Sequence, residues 1–505
     1  MMQGGVPGVP DDYASDIEAM NIAGAVLPPA SRTLRWVVLV VAVLVLAVTV
    51  LVVVVRSQPE PGPPHPDSWD PRVAPYVKIV QEQRGLVFER PVYVDFLDIE
   101  DFRQQLTSRS AEMTEATIEE VNRNVSLLQA LGLVSGHLDV FNEQDQLRGS
   151  GVLGYYSYNA ERISLRSSEV TPAIESVLVR ELTHALEDQR FDVGARWSDL
   201  EADPAKRTAV LTLVEGDVDR VESGWRESLT PEAAQALDDD VARLAPGSDG
   251  AARVPAALRS LVGIPAEFGE ALIAVVDERR GARGVDNLFL TPPITQEQLM
   301  DPWALVQDHQ GHLGVAEPEL ADDEERIQGG ALGAITWLVM LAERLPAYQA
   351  LEAADGWGGD AYVTFARDGL ACVRAEYAGD TPEDVAQMKT ALDEWVGGSA
   401  DSASVRREGR RLTFESCAQA STASTAGNGG SRDAVALAVA RSNLSLGLLG
   451  GEVDTFDARC AADRLARELT AEVLDDLRLK SPEVRRELAF CQSSAPGKGS
   501  SRPRP

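Results

Sequence analysis

Thr171-Pro-Ala-Ile-Glu-Ser-Val-Leu-Val-Arg-Glu-Leu-Thr-His-Ala-Leu-Glu-Asp-Gln189 is the stretch whose reading decides the fold. Thr171 suits a helix N-cap and Pro172 its first position. Ile174, Val177, Leu178 and Ala185 fall on one apolar stripe, so the helix is expected to be buried along one side. On it lies Arg180-Glu181-Leu182-Thr183-His184, which is HExxH with the first His replaced by Arg. Two His four apart on a helix share a face and reach one zinc ion, and the intervening Glu serves the metal-bound water as base. A third ligand must come from elsewhere. The apolar run Leu211-Thr-Leu-Val-Glu215-Gly-Asp-Val-Asp219 offers Glu215.

Several further segments accompany this helix. Gly154-Tyr155-Tyr156 and Arg162-Ile163-Ser164-Leu165 read as a strand pair turning at Asn159-Ala160. Downstream come Pro292-Pro293-Ile294-Thr295-Gln296-Glu297-Gln298 and Gly356-Trp357-Gly358-Gly359-Asp360. In this order they resemble the HELTHALxDQ, EGD, PPxTxEQ and GWGGD segments of bacterial zincin-like (gluzincin-type) metallopeptidases, over about residues 76–380. The resemblance implies Glu181 as general base, with His184 and Glu215 as zinc ligands. Position 180 should supply the other His ligand. Arg has no acceptor and a permanent charge, so it cannot coordinate a cation, and two protein ligands remain where catalytic zinc takes three. The family often has a His at position 301, and here it is Asp301. Asp188, four residues past His184, shares its face and reads either as an acceptor that orients that imidazole or as a solvated face charge. His137, His309 and His312 are the remaining candidate donors outside the linker, and the HxxH pair His309/His312 reads as two loop histidines.

Arg180 suggests a different account, in which its guanidinium replaces the charge of the missing zinc and pairs with the converging acids. Three functions are then open: a non-catalytic zincin-like domain acting by binding a peptide or protein, an active zinc peptidase with an altered ligand set, or a structural cell-envelope protein. Zinc is the expected cofactor if the domain is active, and none if it is degenerate, which is the favoured reading.

The expected fold is α+β and mainly helical, with a small edge sheet, a long active-site helix, an N-terminal transmembrane helix and a small C-terminal helical module. Trp36 to Val55 has no charge over twenty residues, about 30 Å of helix, enough to span a bilayer. Arg32 and Arg35 against Arg56 place the tail 1–35 in the cytoplasm and the rest outside. A Pro-rich linker (56–75) leads to the zincin-like domain (76–394). Then come a Cys417-containing segment with a Gly/Ser/Ala linker (395–432), a helical module (433–492) and a disordered tail (493–505). Four cysteines, all distal to residue 370, suit two disulfides in an oxidising compartment. Proximity favours Cys372–Cys417 and Cys460–Cys491.

The chain has 505 residues with 47 Lys+Arg against 79 Asp+Glu, a net charge of −32. That excludes a phosphate-gripping footprint, so no nucleic-acid partner is expected. Apolar residues make up 44% of the chain, enough for sizeable cores.

Overall fold

The computed structural model describes residues 63–111, 115–134, 152–199, 204–244, 254–308, 311–398, 403–418, 429–450 and 453–494. From His65 onward they belong to one compact unit. The order begins with α1 (Ala74–Arg84), β1 (Tyr93–Phe96), α2 (Ile99–Ala111), α3 (Glu115–Ala130), β2 (Gly154–Ser157) and β3 (Arg162–Leu165). A helical stretch comes next: α4 (Pro172–Phe191), α5 (Val193–Asp199), α6 (Pro204–Glu227), α7 (Pro231–Leu244), α8 (Ala256–Arg280), α9 (Ala282–Leu290) and the short α10 (Glu297–Met300). Then come β4 (Glu325–Gly330), α11 (Ala334–Ala342), α12 (Ala347–Asp355), β5 (Trp357–Arg367), β6 (Leu370–Gly379), α13 (Pro382–Gly397), β7 (Ala403–Glu408) and β8 (Arg411–Cys417). The last helices are α14 (Ser431–Gly447), α15 (Thr455–Ala466), α16 (Ala471–Asp476) and α17 (Pro482–Ser494).

The α+β class expected from the sequence holds. The transmembrane part of that expectation is corrected. Among the described residues no helix is long and apolar enough to cross a membrane. The long helices α4, α6 and α8 all carry charge, such as Arg180 and Glu181, Asp217 and Asp219, or Glu267 and Glu270. Trp36 to Val55 and the tail 1–35 lie outside the described residues. The described structure lends no support to a single-pass topology with cytoplasmic and external sides. Residues 495–505 of the expected disordered tail, His137 and His309 lie outside the described residues as well.

Two sheets form. The first has the order β1-β3-β2, with β1 parallel and β2 antiparallel to β3. The expected β2/β3 hairpin is present, turning through Asn159-Ala160 with Tyr156 opposite Ile163. The second sheet is antiparallel with the order β4-β5-β6-β8-β7, far more than a small edge sheet. Its strand β5 starts inside the GWGGD segment and is buried along its first nine residues. A strand covered on both faces shows no alternation to read. Asp360 gives that segment a structural task. It accepts hydrogen bonds from the Leu332 and Gly333 N–H groups and from the Trp337 and Trp357 indoles, holding α11 against β5.

β7 and β8 fall within the Cys417-containing segment (395–432), for which the sequence suggested no strands, and they complete the sheet. Cys372 and Cys417 are direct cross-strand partners on β6 and β8 and are disulfide-bonded. Cys460–Cys491 staples α15 to α17. Both are the pairings that sequence proximity favours. The main core runs from α8 and α11 to the second sheet, where Trp337 and Trp395 each meet the Phe414 ring edge-on at 5.7 and 5.4 Å. A second core joins α1, the first sheet and one side of α4.

Candidate functional site: an arginine clamp between two helices

α4 is enclosed more completely than a single apolar stripe predicts. Ile174, Leu178, Leu182, Ala185 and Leu186 are buried, and so are Glu181, Thr183, Glu187 and Asp188. Polar groups therefore go into the interior on this helix and must find partners there. Thr171 is its N-cap residue but makes no capping bond. Asp240 of α7 accepts the Ala173 N–H at 3.0 Å instead, capping the helix from a neighbour.

α6 packs across α4 and α8, and a glycine sets how closely. A Cβ on Gly216 would collide with the Gly269 backbone of α8, and one on Gly269 with the Gly216 backbone. Glycine at both positions lets the two backbones touch. That contact fixes the turn of α6 that carries Glu215. Glu215, Asp219 and Glu222 stand at i, i+4 and i+7, so they share the face turned to α4.

The groups expected from the sequence do converge. Arg180 donates from Nη2 to Glu215 Oε2 at 3.0 Å and from Nη1 to Glu222 Oε2 at 2.9 Å, and also to Asp219 Oδ1. Ser176 donates to Glu222 from the next turn of α4. His184 Nε2 faces Glu215 Oε1 at 3.9 Å, and its Nδ1 is 3.2 Å from the Tyr158 hydroxyl. Burial holds the His184 imidazole below its ordinary pKa and raises Glu215 and Glu181, so His184 is neutral. Burial also raises Tyr158 well above its ordinary value, so that hydroxyl keeps its proton. Which of the Tyr158 hydroxyl and His184 Nδ1 donates depends on the tautomer of the ring.

Asp188 does not orient His184. It accepts from the Tyr156 hydroxyl at 2.8 Å and from the Gly194 N–H at 2.7 Å, tying the first sheet and α5 to α4. Tyr158, on the β2–β3 turn, takes the orienting role. His312 is exposed in a loop. Asp301, at the family's His position, pairs with Arg459 of α15 at 2.8 Å.

The residues present do not fit zinc. His184 and Glu215 are two donors, and the third position carries a cation bonded to one of them. No cluster of three or more metal-binding side chains occurs among the described residues. What the arrangement does chemically is charge neutralisation: one guanidinium bridges three carboxylates on the neighbouring helix.

Behind the clamp lies a second polar cluster that sequence reasoning missed. Arg84 of α1 donates to Asp217 at 2.5 Å and to Asp286 of α9 at 2.7 Å, and Arg220 donates to Asp217 at 2.6 Å. Glu187 is fully buried, neither of its oxygens meets a donor among the described residues, and its carboxyl lies against Asp217. Two acids can meet there only if one keeps a proton. Burial and the Asp217 charge hold Glu187 well above its ordinary pKa of 4.5, so it is the proton carrier. The folded pKa exceeds the unfolded one. The unfolded chain then releases this proton first as pH rises, and stability falls by at most about 1.4 kcal/mol per pH unit above that ordinary value. Glu187→Gln keeps a donor toward Asp217 without the titration. Urea unfolding at pH 6 and pH 9 is expected to show wild type losing more stability than the variant over that interval. Equal losses would refute the shared proton.

No family model, curated protein or solved structure matches the chain.

Proposed function

We propose that residues 76–394 are a zincin-like domain that has exchanged metal chemistry for an arginine clamp and acts by binding a peptide or protein. The observation that carries this is Arg180. It occupies the position of the first HExxH ligand and spends its donors on Glu215, Asp219 and Glu222. The resemblance in the segments around it supports the zincin-like reading, and the clamp supports the loss of metal chemistry. Glu181 would be the base of an active relative. Here it is buried with a raised pKa and takes a backbone hydrogen bond from Tyr156. Two disulfides suit work in an oxidising compartment.

One observation favours the rival reading of a zinc peptidase. His184 Nε2 and Glu215 Oε1 already face each other, as two ligands of one ion would. The test is an Arg180→His variant beside the unmodified chain, each assayed for casein hydrolysis with and without added zinc. The clamp reading expects no hydrolysis by the unmodified chain under either condition, and zinc uptake by the variant alone. Zinc-dependent hydrolysis by the unmodified chain would sink it.

A further inference from the structure

On the side of the fold where α12 and α13 meet α14 and α15, a cavity of about 360 Å³ opens. Its carboxylates are Glu352, Asp355, Asp380, Asp384 and Asp463, and its cations are Arg441 and Arg467. Both guanidiniums are engaged: Arg441, almost fully buried, grips Asp355 and stands 3.6 Å from Asp463, and Arg467 pairs with Glu352 at 2.9 Å. The cavity therefore keeps an excess of negative charge.

A second observation comes from a neighbouring residue that does not itself line it. Glu297 of α10 is 3% exposed, and its Oε2 has no hydrogen-bond partner among the described residues. Burial pushes its pKa up to about 9, helped by the charges of Asp380, Asp355, Asp301 and Asp384, three of which line the cavity. A buried acid left without a donor among so many carboxylates marks a place short of positive charge.

The shape says which cation. No three acids converge as metal ligands do among the described residues, so the charge is spread over a hollow and suits a diffuse organic cation. A second hollow of about 760 Å³ continues from the first and shares Tyr348, Ala466 and Arg467 with it. Its lining includes Ala347, Leu437 and Leu469, and the acids Asp433, Glu468, Glu472 and Asp475 outnumber its two cations, Arg432 and Arg467. An acidic hollow followed by a partly apolar groove fits an extended chain with basic and aliphatic residues.

We propose that this groove binds a basic peptide segment of a partner protein, a lysine or arginine side chain entering the acidic cavity and an aliphatic neighbour lying on the groove beyond it. The site is separate from the arginine clamp and stands whether or not the clamp reading does.

The test uses the full chain and a fluorescein-labelled Lys-Leu-Arg-Leu-Lys peptide, with Gln-Leu-Gln-Leu-Gln as the neutral probe, read by fluorescence anisotropy at physiological salt. Saturable binding of the basic probe alone is expected. Asp380→Asn and Asp463→Asn should each weaken it about fivefold to tenfold, as loss of a charged contact does. Glu232→Gln, an exposed acid on α7, should leave it unchanged. Thermal melts confirm that each variant is folded, and a variant that fails to fold is replaced by Asp380→Glu, which keeps the charge and should bind. No binding, or equal weakening by Glu232→Gln, would overturn the proposal, because net charge alone would then explain any attraction. The chain's own residues 495–505 carry Lys498, Arg502 and Arg504 and no acid. If replacing those three by Ala in the full chain raised probe affinity severalfold, the groove would belong to that segment, and the proposal of an external partner would fall.

Discussion

Replacing Arg180 by methionine should destabilise the protein by about 2–4 kcal/mol. The guanidinium is shared by Glu215, Asp219 and Glu222. Removing one partner of a buried ion pair typically costs about 3–5 kcal/mol, because the charges left behind have neither water nor a counterion. The Arg180 side chain is 27% exposed, so water recovers part of that loss and brings it down to about 2–4 kcal/mol. Urea denaturation at pH 7 reads it directly, as a lower midpoint at unchanged slope. A double variant that also carries Glu222→Gln should regain part of the loss, since one of the three repelling charges is gone. If Arg180→Met were as stable as the unmodified chain, the acids would have another source of compensation and the clamp would be ornamental.

Arg84→Met should cost about 3 kcal/mol or more, a large fraction of the stability of a typical folded unit. Arg84 is 3% exposed and is the strut between three helices, joining α1 to Asp217 on α6 and Asp286 on α9. Its guanidinium also lies 5.8 and 5.9 Å from the stacked rings of Phe191 and Phe289. Methionine fills much of the volume but brings no charge. Asp286 is partly exposed and can rehydrate. Asp217 is 0% exposed and among the described residues keeps Arg220 and the Glu187 proton. Thermal or urea unfolding checks this, and a loss under about 1 kcal/mol would show that Arg220 alone balances Asp217. The same loss should move with α1, so limited proteolysis near Ala74–Arg84 should accelerate in the variant.

How much of this was open to reading from the chain varies with the physics of each element. α4 was legible because Thr171-Pro172 at its start, its apolar positions and its RExxH face are all local signals, although the cap itself comes from the distant Asp240. The β2/β3 hairpin was legible through its turn. The five-stranded sheet was not, because β5 is buried along its first nine residues, so it shows no alternation, and it opens with Gly358 and Gly359, which are poor strand formers, just after Trp357. At the site, Arg180, His184 and Glu215 were expected together and are together. Asp219 and Glu222 carried a signal, since they repeat Glu215 at helical spacing. Tyr158 carried none: its meeting with His184 depends on the hairpin folding over α4. Arg84 and Asp217 are 133 positions apart, and no local pattern links them. Glu187 looked like one more charge on a helix, and only burial against Asp217 makes it a proton carrier.

The central claim is that a guanidinium stands where a zinc ion would be. The most direct measurement is the zinc content of the purified, unmodified full chain, by atomic absorption, after zinc loading and dialysis against a weak chelator. The clamp predicts well under a tenth of an equivalent, with Arg180→His retaining about one equivalent under the same treatment. One tightly held equivalent in the unmodified chain would contradict the account, because Arg180 would then have to leave Glu215 to make room for the metal.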